Sequence, residues 1–141
     1  MQNSSTVGTS SSYSSTRVQF DQPIRVVVVD DSADFRVVVC ELLKMLFDIE
    51  IVGVGANGFE ALELTAEHGP DLVIMDVNMP VLDGITAASL IAEHFPTTTI
   101  IMMSGDDSPE LRDRCLRNGA DAFSPKRNIA KNISGLRSVW M

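Results

Sequence analysis

Four apolar runs in this chain each end in residues able to do chemistry. Residues 24–29 run into Asp30 and Asp31, residues 72–75 into Asp76, residues 99–103 into Ser104, and residues 122–124 into Pro125 and Lys126. If the runs are parallel buried strands, these ends meet at one edge of a sheet. In open α/β sheets the carboxyl edge is where ligands sit. Three carboxylates, one hydroxyl and one ammonium gathered there make a small site for Mg2+ and a phosphoryl group.

Each residue also has a plainer reading. Asp30 and Asp31 repel each other unless a cation intervenes. Mg2+ suits them, because it prefers octahedral oxygen ligands and keeps several waters. Equally, Asp31-Ser32-Ala33-Asp34 is an acidic cluster of the kind a helix N-terminus favours. Asp76 closes a purely apolar strand and is poised as a ligand or as a nucleophile forming an acyl phosphate. It also fits a strand-end Asp that starts a turn. Pro80, Asp83 and Gly84 shape that turn, and Asp83 reads as a helix cap. The Ser104 hydroxyl can donate to a phosphoryl oxygen, with Gly105 leaving room for close approach. Lys126 can pair with the same group as a mobile point charge. Alone, Ser104 reads as an ordinary strand end and Lys126 as a solvated lysine.

The elements that must position these residues alternate along the chain. Strands are expected at 24–30, 49–54, 71–76, 98–103 and 121–124, short and mostly β-branched as doubly covered parallel strands should be. Ser32 caps a helix running to about Phe47. Asn57, with Glu60 three residues on, opens a second helix that stops at Gly69-Pro70. Asp83 opens a third that stops before Pro96. Ser108-Pro109-Glu110 opens a fourth that Asn118-Gly119 closes, and Asn128 opens a last one reaching the C-terminus. The fold class is α/β, a flavodoxin-like (βα)5 doubly wound parallel sheet in the order 2-1-3-4-5. The run at 49–54 has no polar cluster after it and suits an edge. Within the first helix, Phe35, Val38, Val39, Leu42 and Leu46 form the expected core stripe, with Val37, Cys40 and Phe47 away from it.

Composition narrows the function. The chain has 141 residues, 45% of them apolar, which suits one domain with a real core. Its net charge of -8 argues against direct binding of nucleic acid, which needs Lys and Arg on phosphates. Cys40 and Cys115 form no CxxC and lie in expected helices, so free thiols in a reducing, cytoplasmic compartment are expected. No apolar run approaches a membrane span, and the N-terminus lacks the features of a signal peptide. Residues 1–16 hold seven Ser and three Thr, so 1–22 is expected to be a disordered tail ahead of a folded domain at 23–141.

Taken together, the set resembles the receiver domain of two-component response regulators, most of all a single-domain chemotaxis-regulator-like receiver. The matching pieces are Val28-Val29-Asp30-Asp31-Ser32, Asp76 through Gly84, Met103-Ser104-Gly105, and Gly119 through Phe123 leading to Lys126, in matching order and intervals. The resemblance covers about residues 24–141. It implies that Asp76 is the phosphoacceptor and that Mg2+ is held by Asp31 directly, Asp30 mainly through water, Asp76, and the backbone carbonyl of Asn78. It also implies that Ser104 is the switch hydroxyl, Phe123 the switch aromatic and Lys126 the phosphoryl contact. A receiver is a phosphoacceptor signalling domain and not an enzyme beyond its own phosphorylation and dephosphorylation. Its implied partners are a sensor histidine kinase or histidine phosphotransfer protein, docking on the first helix, and a downstream protein target. A monomer or a phosphorylation-dependent dimer is implied. Only fifteen residues follow Lys126, enough for one helix, so output by protein–protein contact is expected.

One departure stands out. Many receivers have Pro after the lysine with a cis bond, whereas here Arg127 follows Lys126. A cis bond before a non-proline residue costs about 3 kcal/mol, so the family's loop geometry after Lys126 is not carried over. Rival readings are weaker. A Mg2+-dependent aspartyl-phosphate phosphohydrolase needs a second acid two residues after its nucleophile, and Asp30 and Asp76 are followed there by Ser32 and Asn78. A flavodoxin-like cofactor binder needs a glycine-rich loop after the first strand, which is missing. A receiver-like docking domain that works without phosphorylation has the same sequence signature.

Overall fold

The computed structural model describes residues 22–135. The Ser/Thr-rich stretch expected to be a tail (all but Gln22) and the end of the last helix, with Trp140, lie outside the described residues.

The elements alternate throughout: β1 (Ile24–Val29), α1 (Ala33–Leu46), β2 (Ile49–Gly55), α2 (Gly58–His68), β3 (Leu72–Asp76), α3 (Gly84–His94), β4 (Thr99–Ser104), α4 (Pro109–Arg117), β5 (Ala122–Pro125) and α5 (Ile129–Ser134). The five strands are parallel in the order β2-β1-β3-β4-β5. This is the flavodoxin-like sheet expected from the alternating pattern. Because strand side chains alternate between faces, each strand feeds two cores. Val27, Val29, Val73, Met75, Ile100, Met102 and Phe123 pack with α2, α3 and α4 on one face. Val26, Val28, Leu72, Ile74, Ile101 and Met103 pack with α1 and α5 on the other.

Helix starts follow the sequence signals. Ser32, Asn57, Asp83 and Ser108 each accept a backbone N–H of the first turn through the side chain, satisfying donors that the helix itself cannot. Glu60 Oε1 also reaches back to accept the Ala56 amide at 2.7 Å. Gly69 ends α2 in the left-handed region at φ 54°, where a Cβ would be strained.

Four local expectations need correction. Of the expected α1 stripe, Val39 is buried and Phe35, Leu42 and Leu46 pack against the same core, but Val38 is exposed, and Leu43 and Phe47 are buried beside Val39. Phe47 has left the helix, with φ -137° and ψ 158°, so the helical period no longer sets its direction and it drops into the core. Cys40, expected away from the core, is partly buried against the same cluster. Asn128 makes no side-chain cap to α5. A 3₁₀ turn at Lys126–Asn128 precedes that helix, and the Ile129 amide donates to the Lys126 carbonyl in its place. Every described peptide bond is trans, including Lys126–Arg127.

Candidate functional site

Sheet register brings the polar strand ends level. Val29 pairs with Met75, Asp76 with Met103, and Ser104 with Pro125. The Asp30 amide continues β1 by donating to the Gly55 carbonyl. One carboxylate oxygen from each of Asp30, Asp31 and Asp76 lies within 4.8 Å of the others. Asp30 and Asp76 are buried and Asp31 is exposed.

The Lys126 ammonium sits between the two buried acids, 2.8 Å from Asp30 Oδ2 and 3.3 Å from Asp76 Oδ2. Asp30 Oδ1 accepts the Ser32 amide at 2.8 Å. Asp76 Oδ1 accepts the Asn78 amide at a long 3.4 Å. Burial pushes the Asp76 carboxyl up to about 6, the negative charge of Asp30 adds to the rise, and Lys126 and the Asn78 amide work against it. Burial opposes the charge on Lys126, yet its bonds and attraction to Asp30 and Asp76 hold its pKa above the ordinary lysine value. Two carboxylates thus share one cation, an arrangement with negative charge to spare.

Aspartates at the other ends of the strands behave differently. Asp71 accepts the Arg25 amide and Asp121 accepts the Ile100 amide, each from a neighbouring strand. Their carboxylates stitch the sheet, whereas Asp30 and Asp76 face each other and a cation.

The loop after β3 is held tightly. The Leu82 amide donates to the Pro80 carbonyl at 2.7 Å, closing a γ-turn on Val81 at φ 69°. Positive φ is a real outlier for a β-branched residue, and it persists where surrounding contacts over-determine it. Here the Gly84 amide donates to the Val77 carbonyl and the Gly58 amide to the Leu82 carbonyl. A Cβ at Gly84 would lie 2.1 Å from the Asp76 carbonyl oxygen, and one at Gly58 2.3 Å from that of Leu82. Only glycine allows this approach, so Gly84 packs directly on the Asp76 backbone without touching its carboxylate, and Gly58 holds the Leu82 end of the loop.

Ser104 is fully buried and its Oγ accepts the Asp106 amide at 3.0 Å. Phe123 is already inside, 5% exposed, with the Arg112 guanidinium 5.7 Å above its ring. Arg127 pairs with Asp107, tying the turn after Lys126 to the loop after Ser104.

Three contributors are not singled out by sequence. Arg36 donates to the Asp30 carbonyl, and Gly58 carries no signal beyond its place after a cap. Phe35 fits the core stripe of α1, but its ring also lies under the Lys126 ammonium, 4.6 Å from centroid to Nζ.

A hard cation fits the acidic cluster. All three side chains offer carboxylate oxygens, and an octahedral Mg2+ spaces its ligand oxygens by about 3–4 Å, inside the 4.8 Å spread. Among the described residues, no helix is long and apolar enough to cross a membrane.

Residues 26–135 match the family described as the response regulator receiver domain. A protein-glutamate methylesterase/protein-glutamine glutaminase of Methanospirillum hungatei is 40% identical over 112 residues, 78% of this chain but 33% of the relative. The chain therefore spans about a third of that relative, and the activity in the relative's name is not carried over by the match. Among solved structures, the response regulator domain of Thermotoga maritima CheB superposes with TM-score 0.74 at 34% identity, covering 83% of this chain and 96% of that one. A chain of the CheX–CheY–BeF3–Mg2+ complex of Borrelia burgdorferi superposes with TM-score 0.75 at 28% identity, covering 84% and 90%.

Proposed function

This chain belongs to the response regulator receiver domain family, and on that premise we propose that it accepts a phosphoryl group on Asp76 from a phosphohistidine donor. The observation that carries the reading is the buried Asp76 carboxylate at a strand end, with Lys126 3.3 Å away and Asp30 on the far side of that lysine. In this reading an Asp76 oxygen attacks phosphorus in line, the bond to the donor nitrogen breaks, and its electron pair leaves with the imidazole. Lys126 offsets the charge growing on the phosphoryl oxygens, the positioning and electrostatics on which such transfers rely. Asp31, Asp76 and the backbone carbonyl of Asn78 would hold Mg2+ directly. Asp30 would act mainly through water, consistent with its two oxygens being engaged by Lys126 and the Ser32 amide. The ion would supply further neutralisation of the same oxygens.

The acyl phosphate would then draw the Ser104 hydroxyl, whose oxygen accepts an amide and keeps its proton to donate. Because Phe123 already lies inside, phosphorylation in this reading raises the population of an inward state that exists beforehand. The surface of α4, β5 and α5 carries the signal to a downstream protein, in the cytoplasm where phosphohistidine donors act.

Incubation with acetyl phosphate and Mg2+ is expected to add one phosphoryl group to the native chain and none to Asp76→Asn, read by intact mass. Labelling of Asp76→Asn at the native rate would overturn the assignment.

The donor's docking face in this reading is the outer side of α1, where Val37 and Met45 are 61% and 64% exposed. Val37→Asp is expected to receive phosphoryl groups from its kinase at least about tenfold more slowly, since a buried unpaired charge at an interface costs more than about 1.4 kcal/mol. Its labelling by acetyl phosphate should not change. Equal kinase rates would remove α1 from the docking face.

A further inference from the structure

Lys126 has a third neighbour besides its two carboxylates. Phe35, in the first turn of α1, presents its ring to the ammonium at 4.6 Å from the centroid. The ring is partly buried against the core cluster of Val39, Leu43 and Ile129, so packing fixes where it stands. We propose that Phe35 is a positioning residue for phosphoryl transfer, holding the Lys126 ammonium in place through the face of its ring. The inference rests on Asp76 being the phosphoacceptor.

A lysine stem has four flexible carbons and reaches its target with little preorganisation. Carboxylates alone are poor anchors for this task. When Asp76 becomes an acyl phosphate, the negative charge that Lys126 faces moves from the carboxylate oxygen out to the phosphoryl oxygens. A lysine pinned only by acids would be redistributed at the moment it is needed. The ring face attracts the cation through its quadrupole, and that attraction does not change as charge moves from donor to Asp76. It also uses none of the three ammonium N–H groups, which stay available for oxygens. By covering one side of the ammonium, on a side chain that is 22% exposed, the ring keeps water away and strengthens its pull on a phosphoryl oxygen.

The native chain, Phe35→Tyr, Phe35→Leu and Phe35→Met would be labelled with acetyl phosphate at saturating Mg2+. The ring-less variants are expected to label about fivefold more slowly, in line with the loss of one partly desolvated cation–π contact. Phe35→Tyr keeps the ring and should stay within about twofold of native. Mg2+ affinity by calorimetry should be unchanged in all four. The Lys126 ε-methylene protons should be ring-shifted upfield in native and Phe35→Tyr protein and move to ordinary positions in Phe35→Leu and Phe35→Met. A Tyr variant as slow as Leu, or ring-less variants labelled at the native rate, would overturn the role. An unshifted Lys126 signal in a native chain that labels would sink this inference alone. A native chain with the shifted signal and no label would sink the phosphoacceptor reading, and the chemical role of Phe35 with it.

Discussion

Without divalent metal at pH 8, Asp76→Asn is expected to be about 2–3 kcal/mol more stable than the native chain. The Asp76 carboxyl is pushed from 3.8 up to about 6, first by burial and then by Asp30. Its side chain is only 6% exposed, so solvent screens little of this effect. A tenfold change in proton affinity corresponds to about 1.4 kcal/mol between the two protonation states. In the window between 3.8 and about 6 the folded chain binds more protons than the unfolded one. Stability therefore falls as pH rises through that window and stays low above it. Asparagine is neutral throughout and avoids the loss. The advantage of the variant should thus be full above the folded pKa of about 6 and vanish below the unfolded value of 3.8. Urea midpoints in EDTA across that range would test this. Mg2+ should narrow the gap by binding the folded native chain and not the unfolded one. A variant less stable than native at pH 8 would mean that attraction to Lys126 outweighs burial and repulsion.

The stability of the site runs against its chemistry, and this is also why so much of it was legible in the sequence. An aspartate at the end of an all-apolar strand such as 72–75 has no packing purpose, so Asp30 and Asp76 stand out by occupying places where a core would not put them, and Lys126 is legible only as the third member of that set. Asp71 and Asp121, at the opposite strand ends, make backbone bonds and give no such signal. The caps Ser32, Asn57, Asp83 and Ser108 were legible because capping is a local interaction among residues three apart. What the sequence hid depends on contacts distant along the chain. Nothing about a valine announces φ 69° at Val81; that conformation is imposed by bonds closed at Gly58 and Gly84. The rotation of α1 that exposes Val38 and buries Val39 and Leu43 is set by the sheet beneath it, which periodicity alone cannot orient. Phe35 reads as core because part of its surface is core, and only the arrival of Lys126 from β5, 91 positions along the chain, gives its other face a role.

Lys126→Met is expected to have the opposite sign and the larger size, a loss of about 3–5 kcal/mol in chelator. Asp30 is completely buried and its Oδ2 lies 2.8 Å from the ammonium. Removing one partner of such a pair strands the other charge in the interior, and that step is costly even where the pair itself adds little. Methionine keeps the length and the apolar stem, so the change reports charge rather than volume. Replacing both partners should recover most of the loss: Asp30→Asn combined with Lys126→Met is expected within about 1–2 kcal/mol of native, because no buried charge is then left alone. Chemical denaturation of the two single variants and the double would measure the coupling. A Lys126→Met loss below about 1 kcal/mol would place the pair with exposed ion pairs and contradict the burial seen for Asp30. Mg2+ should rescue Lys126→Met more than it stabilises the native chain, since the incoming cation replaces the missing one beside Asp30. The two variants then bracket one cause. Removing Asp76 relieves a surplus of negative charge and removing Lys126 enlarges it, and a site held in that imbalance is primed to take up a cation.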